Sequence, residues 1–217
     1  MAKILPIFPL PNTVLFPGVS VHLHIFEERY KRMIADIRKS DMPLIISYAS
    51  MEDDRLIPKK TATIGDVRVL KEYDDGRMDI IVHGRNYAQI SEIDSNEKPY
   101  DQASYETKII DENLDRTIQE IGKERLINLI KRFSLFNLNY STQVMKFYTR
   151  EKHLDYLLNT IAYYNISNFD LKQEVLELNE LQVKYTFTEN FLSKIVESLR
   201  KNIENHIYPE HLIRRLN

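Results

Sequence analysis

The spacing of apolar residues changes once along the chain, and this change restricts the fold more than any other feature. From Val19 to Ile25 apolar and polar residues alternate, which is the period of a half-buried β-strand. From about residue 114 onward, apolar residues recur every three or four positions, as on one face of a helix. Strands followed by helices predict an α+β protein, with a β-rich domain at residues 1–112 and an α-helical bundle at residues 113–217.

Shorter patterns add detail to the β-rich half. Asp75-Gly76 stands between alternating segments and predicts a tight hairpin turn, because glycine adopts positive φ without a Cβ clash. The strand that returns from Met78 and a strand from Tyr87 to Ile93 are predicted as separate elements, and residues 50–63 as a polar loop. One helix is predicted between the strands, and its apolar face, expected in the core, comprises Phe26, Tyr30, Met33, Ile34 and Ile37.

The composition limits the kind of function. The chain carries 30 Lys and Arg against 32 Asp and Glu, a net charge of −2, so a dedicated surface for nucleic acid is not expected from the average field. It has no cysteine, which excludes disulfides, thiolate zinc sites and cysteine nucleophiles. The sequence has neither an apolar run near the ~18 residues of a membrane span nor the apolar stretch of a secretory signal. A cytoplasmic location is therefore expected.

Several motifs together resemble the N-terminal substrate-recognition domain of Lon-type proteases. The opening motif is FPLPNTVLFPG at residues 8–18, followed by VHLHIFEERYKRMI at residues 21–34. Further similar segments are the central hairpin from Ile64 to Ile90, the element at Lys98-Pro99-Tyr100 and the closing helical segment from Lys172 to Leu192. The resemblance covers roughly residues 3 to 200, and the first motif combined with the hairpin at this distance is its most specific part.

The resemblance implies a fold and a role. The fold would be a PUA-like β-barrel with an α-helical bundle behind it. The role would be that of a non-catalytic module, because this region of Lon-type proteases binds substrates for the ATPase. Unfolded or tagged polypeptides are the expected partners, with delivery to a separate protease or chaperone. A homodimer is left open.

The same resemblance gives no reason to expect hydrolysis. A Lon ATPase needs a glycine-rich loop that ends in Gly-Lys-Ser or Gly-Lys-Thr. The five glycines of this chain include a single Gly-Lys pair, Gly122-Lys123, which is followed by Glu124 in a helical pattern. The Ser-Lys dyad of the Lon protease domain has no counterpart in these 217 residues. No catalytic residue, cofactor or metal is expected. A peptidase family label is still expected from the resemblance.

Seven residues are predicted to contact bound peptide from their places in the motifs. Rigid aromatic side chains bury apolar groups at a low cost in side-chain entropy, and the expected site is a groove between barrel and helices. The predicted residues are Phe8, Asn12, Phe16, Tyr48, Arg85, Tyr87 and Tyr100. The alternative is that most of these rings belong to the core.

Two other sites stay open at this level. In a PUA-like fold, basic and aromatic residues at 29–32 and 85–87 could bind RNA or a nucleotide by phosphate pairing and stacking. A solvated helix face with buried tyrosines explains the same residues and is favoured. His22 and His24 share a strand face and could join His83 at a metal site, but a structural role is favoured here as well.

Overall fold

The computed structural model describes residues 3–53, 55–95, 97–136, 148, 150–151 and 153–207. The strands within these ranges are β1 (Lys3–Leu10), β2 (Ser20–Ile25), β3 (Leu44–Glu52), β4 (Arg55–Pro58), β5 (Thr61–Glu72), β6 (Met78–Asp94) and β7 (Gln102–Lys108). The helices are α1 (Glu28–Ser40), α2 (Arg116–Phe136), α3 (Leu154–Asn165), α4 (Phe169–Glu177) and α5 (Leu181–Ile207). The predicted α+β class is confirmed.

The strands close into a barrel because β1 pairs on both of its sides. The pairing order is β1-β7-β6-β5-β3-β4, and β2 pairs with β6. β1 also runs parallel to β3, with Ile7 opposite Ile45 and Leu10 opposite Tyr48. The inward-pointing side chains form one apolar cluster, which comprises Leu5, Ile7, Ile45, Ala62, Ile64, Ala88, Ile90, Ala103 and Tyr105.

The predicted hairpin joins β5 to β6. Gly76 has a φ of +78°, and the Tyr73 amide donates to the Arg77 carbonyl at 2.9 Å across the turn. β6 then runs without interruption for 17 residues, so the two strands predicted here are one. Gly84 lies where they were expected to separate, and its amide donates to the carbonyl of Val19 at 2.8 Å. The strand is therefore held to the segment that leads into β2.

The predicted loop at residues 50–63 is largely β-structure, so that prediction was wrong. β3 extends to Glu52, and β4 pairs back on it with Glu52 opposite Arg55. Asp53, at the turn, has a φ of 45°, a left-handed conformation that aspartate tolerates better than most residues. The four residues of β4 are too few for a period-2 pattern to stand out among polar neighbours.

α1 buries the predicted face except for its first member. Tyr30, Met33, Ile34 and Ile37 are buried, whereas the side chain of Phe26 is 62% exposed, so its assignment to the core was wrong. The reason is that the helix begins at Glu28 after the extended residue Glu27. Phe26 precedes the helix and does not follow its spacing.

The chain separates into two compact units. The first, the strand unit, comprises residues 1–111 and 159–179, and the second, the helical unit, comprises residues 112–158 and 180–217. Residues 159–179 join the strands through bonds such as that from Gln173 Nε2 to the Thr61 carbonyl at 2.9 Å. The domain border predicted between residues 112 and 113 stays a prediction. The contacts described here group the later helical residues 159–179 with the strands.

The helical unit is built on the packing of α2 against α5. Gly122 permits close approach, because a Cβ at this position would lie 2.9 Å from Cε2 of Tyr185. The Lys184 ammonium, which is fully buried, donates to Asp155 Oδ1 at 2.8 Å. Within the described ranges, none of the helices is long and apolar enough to cross a membrane.

Candidate functional site

Four of the seven residues predicted to bind peptide are buried in the strand unit. None of them is more than 7% exposed, and they are Phe8, Phe16, Tyr87 and Tyr100. Phe8 packs on Tyr30 of α1 with ring centroids 4.1 Å apart. A ring without accessible surface cannot bury further surface against a partner. The burial of these four rings disagrees with the predicted contact and favours the core alternative.

The two buried tyrosines also use their hydroxyl groups inside the fold. Asn159 Nδ2 donates to the hydroxyl oxygen of Tyr87 at 2.8 Å. The Tyr100 hydroxyl donates to Asp36 Oδ2 at 2.7 Å, and Lys98 Nζ donates to the same oxygen at 3.0 Å. Burial, then the bond to Asp36, raises the pKa of Tyr100 above its ordinary value. These bonds secure the β6–β7 connection to α1.

Replacing Tyr100 by phenylalanine is expected to lower the free energy of unfolding by about 1 kcal/mol at pH 7, the usual worth of one hydrogen bond. The bonds from Tyr100 and Lys98 lower the pKa of Asp36 below its ordinary value of 3.8. The stabilisation is therefore present above pH 3.8 and is lost as the pH falls through the lower, folded-state value. Urea titrations of both proteins at pH 7 and pH 3 measure the effect. A Tyr100→Phe loss that stays constant between these pH values would contradict it.

Of the three accessible residues of the prediction, Arg85 lies apart from the other two. Asn12 is exposed in the turn after β1, and Tyr48, opposite Leu10, is half-buried near the same end of the barrel. The Tyr48 hydroxyl donates to Asp170 Oδ1 at 2.9 Å. Arg85 lies about 3.0 Å from Asp66 Oδ1, in a cleft beside residue 43, just before β3 begins. Along a strand, the five residues between that point and Tyr48 span roughly 17 Å.

The outer face of the strand unit instead presents three rings that touch in a row, which we call the aromatic row: Phe26, His24 and Tyr73. The His24 ring is stacked 6.3 Å from Phe26 and meets the edge of Tyr73 at 5.9 Å. His24 and Phe26 are exposed and Tyr73 is half-buried. Contiguous exposed aromatic surface is rare on an isolated domain and is typical of protein-binding surfaces.

Asp79 fixes two rings of the aromatic row. His24 Nδ1 lies 2.6 Å from Asp79 Oδ1, and the Tyr73 hydroxyl donates to Asp79 Oδ2 at 2.6 Å. The bond with His24, followed by that with Tyr73, lowers the pKa of Asp79 below its ordinary value. The carboxylate therefore remains ionised at neutral pH and keeps both rings in place. A row held in this way loses little side-chain freedom when a partner binds.

The aromatic row lies beside an open strand edge. Among the described strands, β2 pairs with β6 alone. Its inward residues Val21 and Ile25 are buried, while His22 and His24 point outward, as the alternation predicted. No described strand pairs with the other edge of β2, which we call the open edge, and an unpaired strand edge can add a strand from another chain. Rings and edge together suit an extended polypeptide.

Sequence reasoning missed this row for identifiable reasons. Phe26 was assigned to the helical face that follows it, and the start of the helix was the missing information. Tyr73 and Asp79 flank the hairpin turn, so their proximity could have been inferred from the register. The contact of His24 with Asp79 joins residues 55 positions apart, and no local pattern indicates it.

The alternative sites receive little support from the geometry. The rings of Tyr30 and Tyr87 are buried and cannot stack on a base. The register places His83 opposite Ser20 and His24 opposite Asp79, and no group of three or more potential metal ligands occurs among the described residues.

Comparison with known sequences identifies one family across most of the chain. The model of the ATP-dependent protease La (LON) substrate-binding domain matches residues 4–194. The Lon protease of Flavobacterium johnsoniae is 28% identical over 94% of this chain and 25% of that protease. The Lon protease of Dictyoglomus thermophilum is 22% identical over 96% of this chain and 27% of that protease. The chain thus spans about a quarter of the length of the curated relatives it matches.

Solved structures give the same fold. The N-terminal domain of the Mycobacterium avium complex Lon protease has a TM-score of 0.68 at 17% identity, covering 88% of this chain and 98% of that domain. The Lon N-terminal domain protein from Xanthomonas campestris has a TM-score of 0.61 at 16% identity, covering 84% and 94%. The matched region is a substrate-binding domain rather than a catalytic one. The resemblance stated from the motifs is confirmed, and the chain belongs to the family of Lon substrate-binding domains.

Proposed function

We propose that this chain binds unfolded segments of other proteins at the aromatic row and the open edge of β2, and that it catalyses no reaction on them. The observation that carries this proposal is the row of three rings beside a strand edge. Membership of the substrate-binding domain family supports recognition of protein substrates.

The chemistry of the surface fits an unfolded partner. An unfolded chain has unpaired backbone groups that can add to a strand edge, and apolar side chains that can cover exposed rings. A folded protein has already paired and buried both. Selectivity for unfolded chains therefore needs no sequence-specific pocket. Asn12, Tyr48 and Arg85 remain proposed as additional contacts because each has accessible surface.

Replacing Phe26 by alanine is expected to weaken binding of an unfolded protein about tenfold, or roughly 1.4 kcal/mol, because one exposed ring is lost. The measurement is the Kd for reduced, carboxymethylated α-lactalbumin, compared with native α-lactalbumin, which should not bind. Ile109→Ala is the matched control, since Ile109 is also exposed in the strand unit. Equal affinity for native and unfolded forms, or an unchanged Kd in Phe26→Ala, would refute the proposal.

We further propose, following the resemblance, that captured chains pass to a protease in the cytoplasm. In that case a Lon protease should degrade the unfolded protein faster when this chain is added, and the Phe26→Ala variant should give a smaller increase. Equal degradation rates with and without the chain would count against delivery while leaving capture intact.

A further inference from the structure

A concave surface, separate from the aromatic row, lies at the end of the barrel where β6 leads into β7. It has a volume of about 640 Å³, and we call it the acidic groove. Its walls come from β1, β6, β7 and the connection between α1 and β3. The register brings residues of three strands into one row, since Ile4 and Glu92 both lie opposite Ser104. Most of the groove is thus built on paired strands, and Glu97 joins it from the connection between β6 and β7.

The groove exposes apolar surface. Ile4 is 60% exposed and Ile93 is 37% exposed, and both line it together with Met42. Met42 packs against the closed apolar cluster of the barrel, so the exposed side chains lie over a rigid base. Apolar side chains gathered in a concavity can be covered by one partner side chain.

The groove also carries one sign of charge. Glu92, Asp94 and Glu97 line it, and no basic side chain does so among the described residues that form its walls. Two basic residues adjoin lining residues in sequence: Lys98, which is engaged with Asp36 at 3.0 Å, and Lys3, which does not line the groove. A cleft lined by like charges focuses its field and raises the local concentration of oppositely charged groups.

We propose that the acidic groove binds a basic, partly apolar segment of a polypeptide. A Lys or Arg side chain would lie among the three carboxylates, and an adjacent aliphatic side chain would cover Ile4 and Ile93. This combination favours a peptide over a hydrated metal ion, because an ion would leave the apolar walls uncovered. The inference rests on the proposed function, to which it adds a preference for positive charge in the bound segment.

The experiment uses the full chain and two fluorescein-labelled peptides that share their length and apolar residues, one with two lysines and the other with two glutamates. Fluorescence anisotropy should show that the protein binds the lysine peptide at least tenfold more tightly than the glutamate peptide. The difference in affinity should shrink in 0.5 M NaCl because salt screens exposed charges. Equal affinity for the two peptides would overturn the proposal.

The variant Glu92→Gln/Asp94→Asn/Glu97→Gln should remove the preference, since it keeps the shape and deletes the charge. The control variant Glu52→Gln/Asp53→Asn/Glu174→Gln removes three carboxylates from other parts of the strand unit and should leave the preference unchanged. Thermal melts establish that both variants fold. The proposal would be overturned if the groove variant still preferred the lysine peptide. It would also be overturned if Mg²⁺ bound saturably and displaced the peptide, or if the parent formed a dimer that the groove variant did not form.

The two proposals fail separately. Carboxymethylated α-lactalbumin is negatively charged and reports on the aromatic row. Suppose that the groove variant binds the lysine peptide as tightly as the parent does, while Phe26→Ala weakens the binding of the unfolded protein. Then only the groove inference fails. If the unfolded protein does not bind but the lysine peptide does in a carboxylate-dependent way, the proposed function fails instead.

Discussion

Replacing Lys184 by methionine is expected to lower the free energy of unfolding of the helical unit by about 3–5 kcal/mol, because it leaves the Asp155 carboxylate buried without its cation. The ammonium of Lys184 has no exposed surface, and Asp155 is 7% exposed. Burial lowers the pKa of Lys184, and the attraction of Asp155 opposes this shift. The pair is thus costly to desolvate, and removing the ammonium deprives a buried carboxylate of a direct bond at 2.8 Å.

A double substitution separates the cost of burial from the worth of the pair. Lys184→Met/Asp155→Leu removes both charges with similar volume, and such replacements are often neutral or stabilising. We expect it to recover most of the stability lost in Lys184→Met. Lys194→Met is the matched control, since Lys194 is exposed on the same helix and should change stability by about 0.5 kcal/mol at most. Chemical denaturation followed by helical circular dichroism measures all three, and a Lys184→Met protein as stable as the Lys194→Met control would contradict the argument.

The fold could be predicted where a long pattern repeats. The change from period 2 to helical spacing near residue 114 predicted strands followed by helices, and Asp75-Gly76 predicted the hairpin, because these signals rest on local geometry. The limits of elements were less predictable. β6 continues through Gly84 because its far side pairs with the segment before β2, and β4 forms because β3 is there to pair with it. Both depend on tertiary contacts.

The site could be predicted only in part. An aromatic residue on a strand reads the same in sequence whether its ring is buried, as that of Tyr87 is beside Asn159, or lies partly at the surface, as that of Tyr73 does. The family motifs place aromatic residues at fixed positions and do not state their exposure. Phe26 illustrates the opposite error, because it was predicted to be buried and is exposed. It lies one residue before the helix cap, so it does not share the buried face of the helix. Side-chain direction, rather than residue type, was the missing information.

Replacing Gly84 by alanine is expected to destabilise the strand unit by about 3 kcal/mol, the upper part of the range for overpacking. A Cβ at this position would clash with the carbonyl oxygen of Phe16 and would lie 3.0 Å from Cγ2 of Thr63. The first contact is with backbone, which cannot move aside as a flexible side chain can. Alanine also restricts the unfolded chain, which stabilises a protein by about 0.4–1 kcal/mol, so the steric cost prevails.

The Gly84→Ala substitution should also weaken binding at the aromatic row. The segment that packs on Gly84 leads directly into β2, and the bond from the Gly84 amide to Val19 fixes where that strand begins. Displacing this segment would move the open edge and His24 relative to Asp79. Asn86→Ala, an exposed position on the same strand, is the control and should leave stability within about 0.5 kcal/mol of the parent. Urea denaturation and the Kd for carboxymethylated α-lactalbumin measure the two effects, and a Gly84→Ala protein equal to the control in both would show that this close approach does not hold β2 in place.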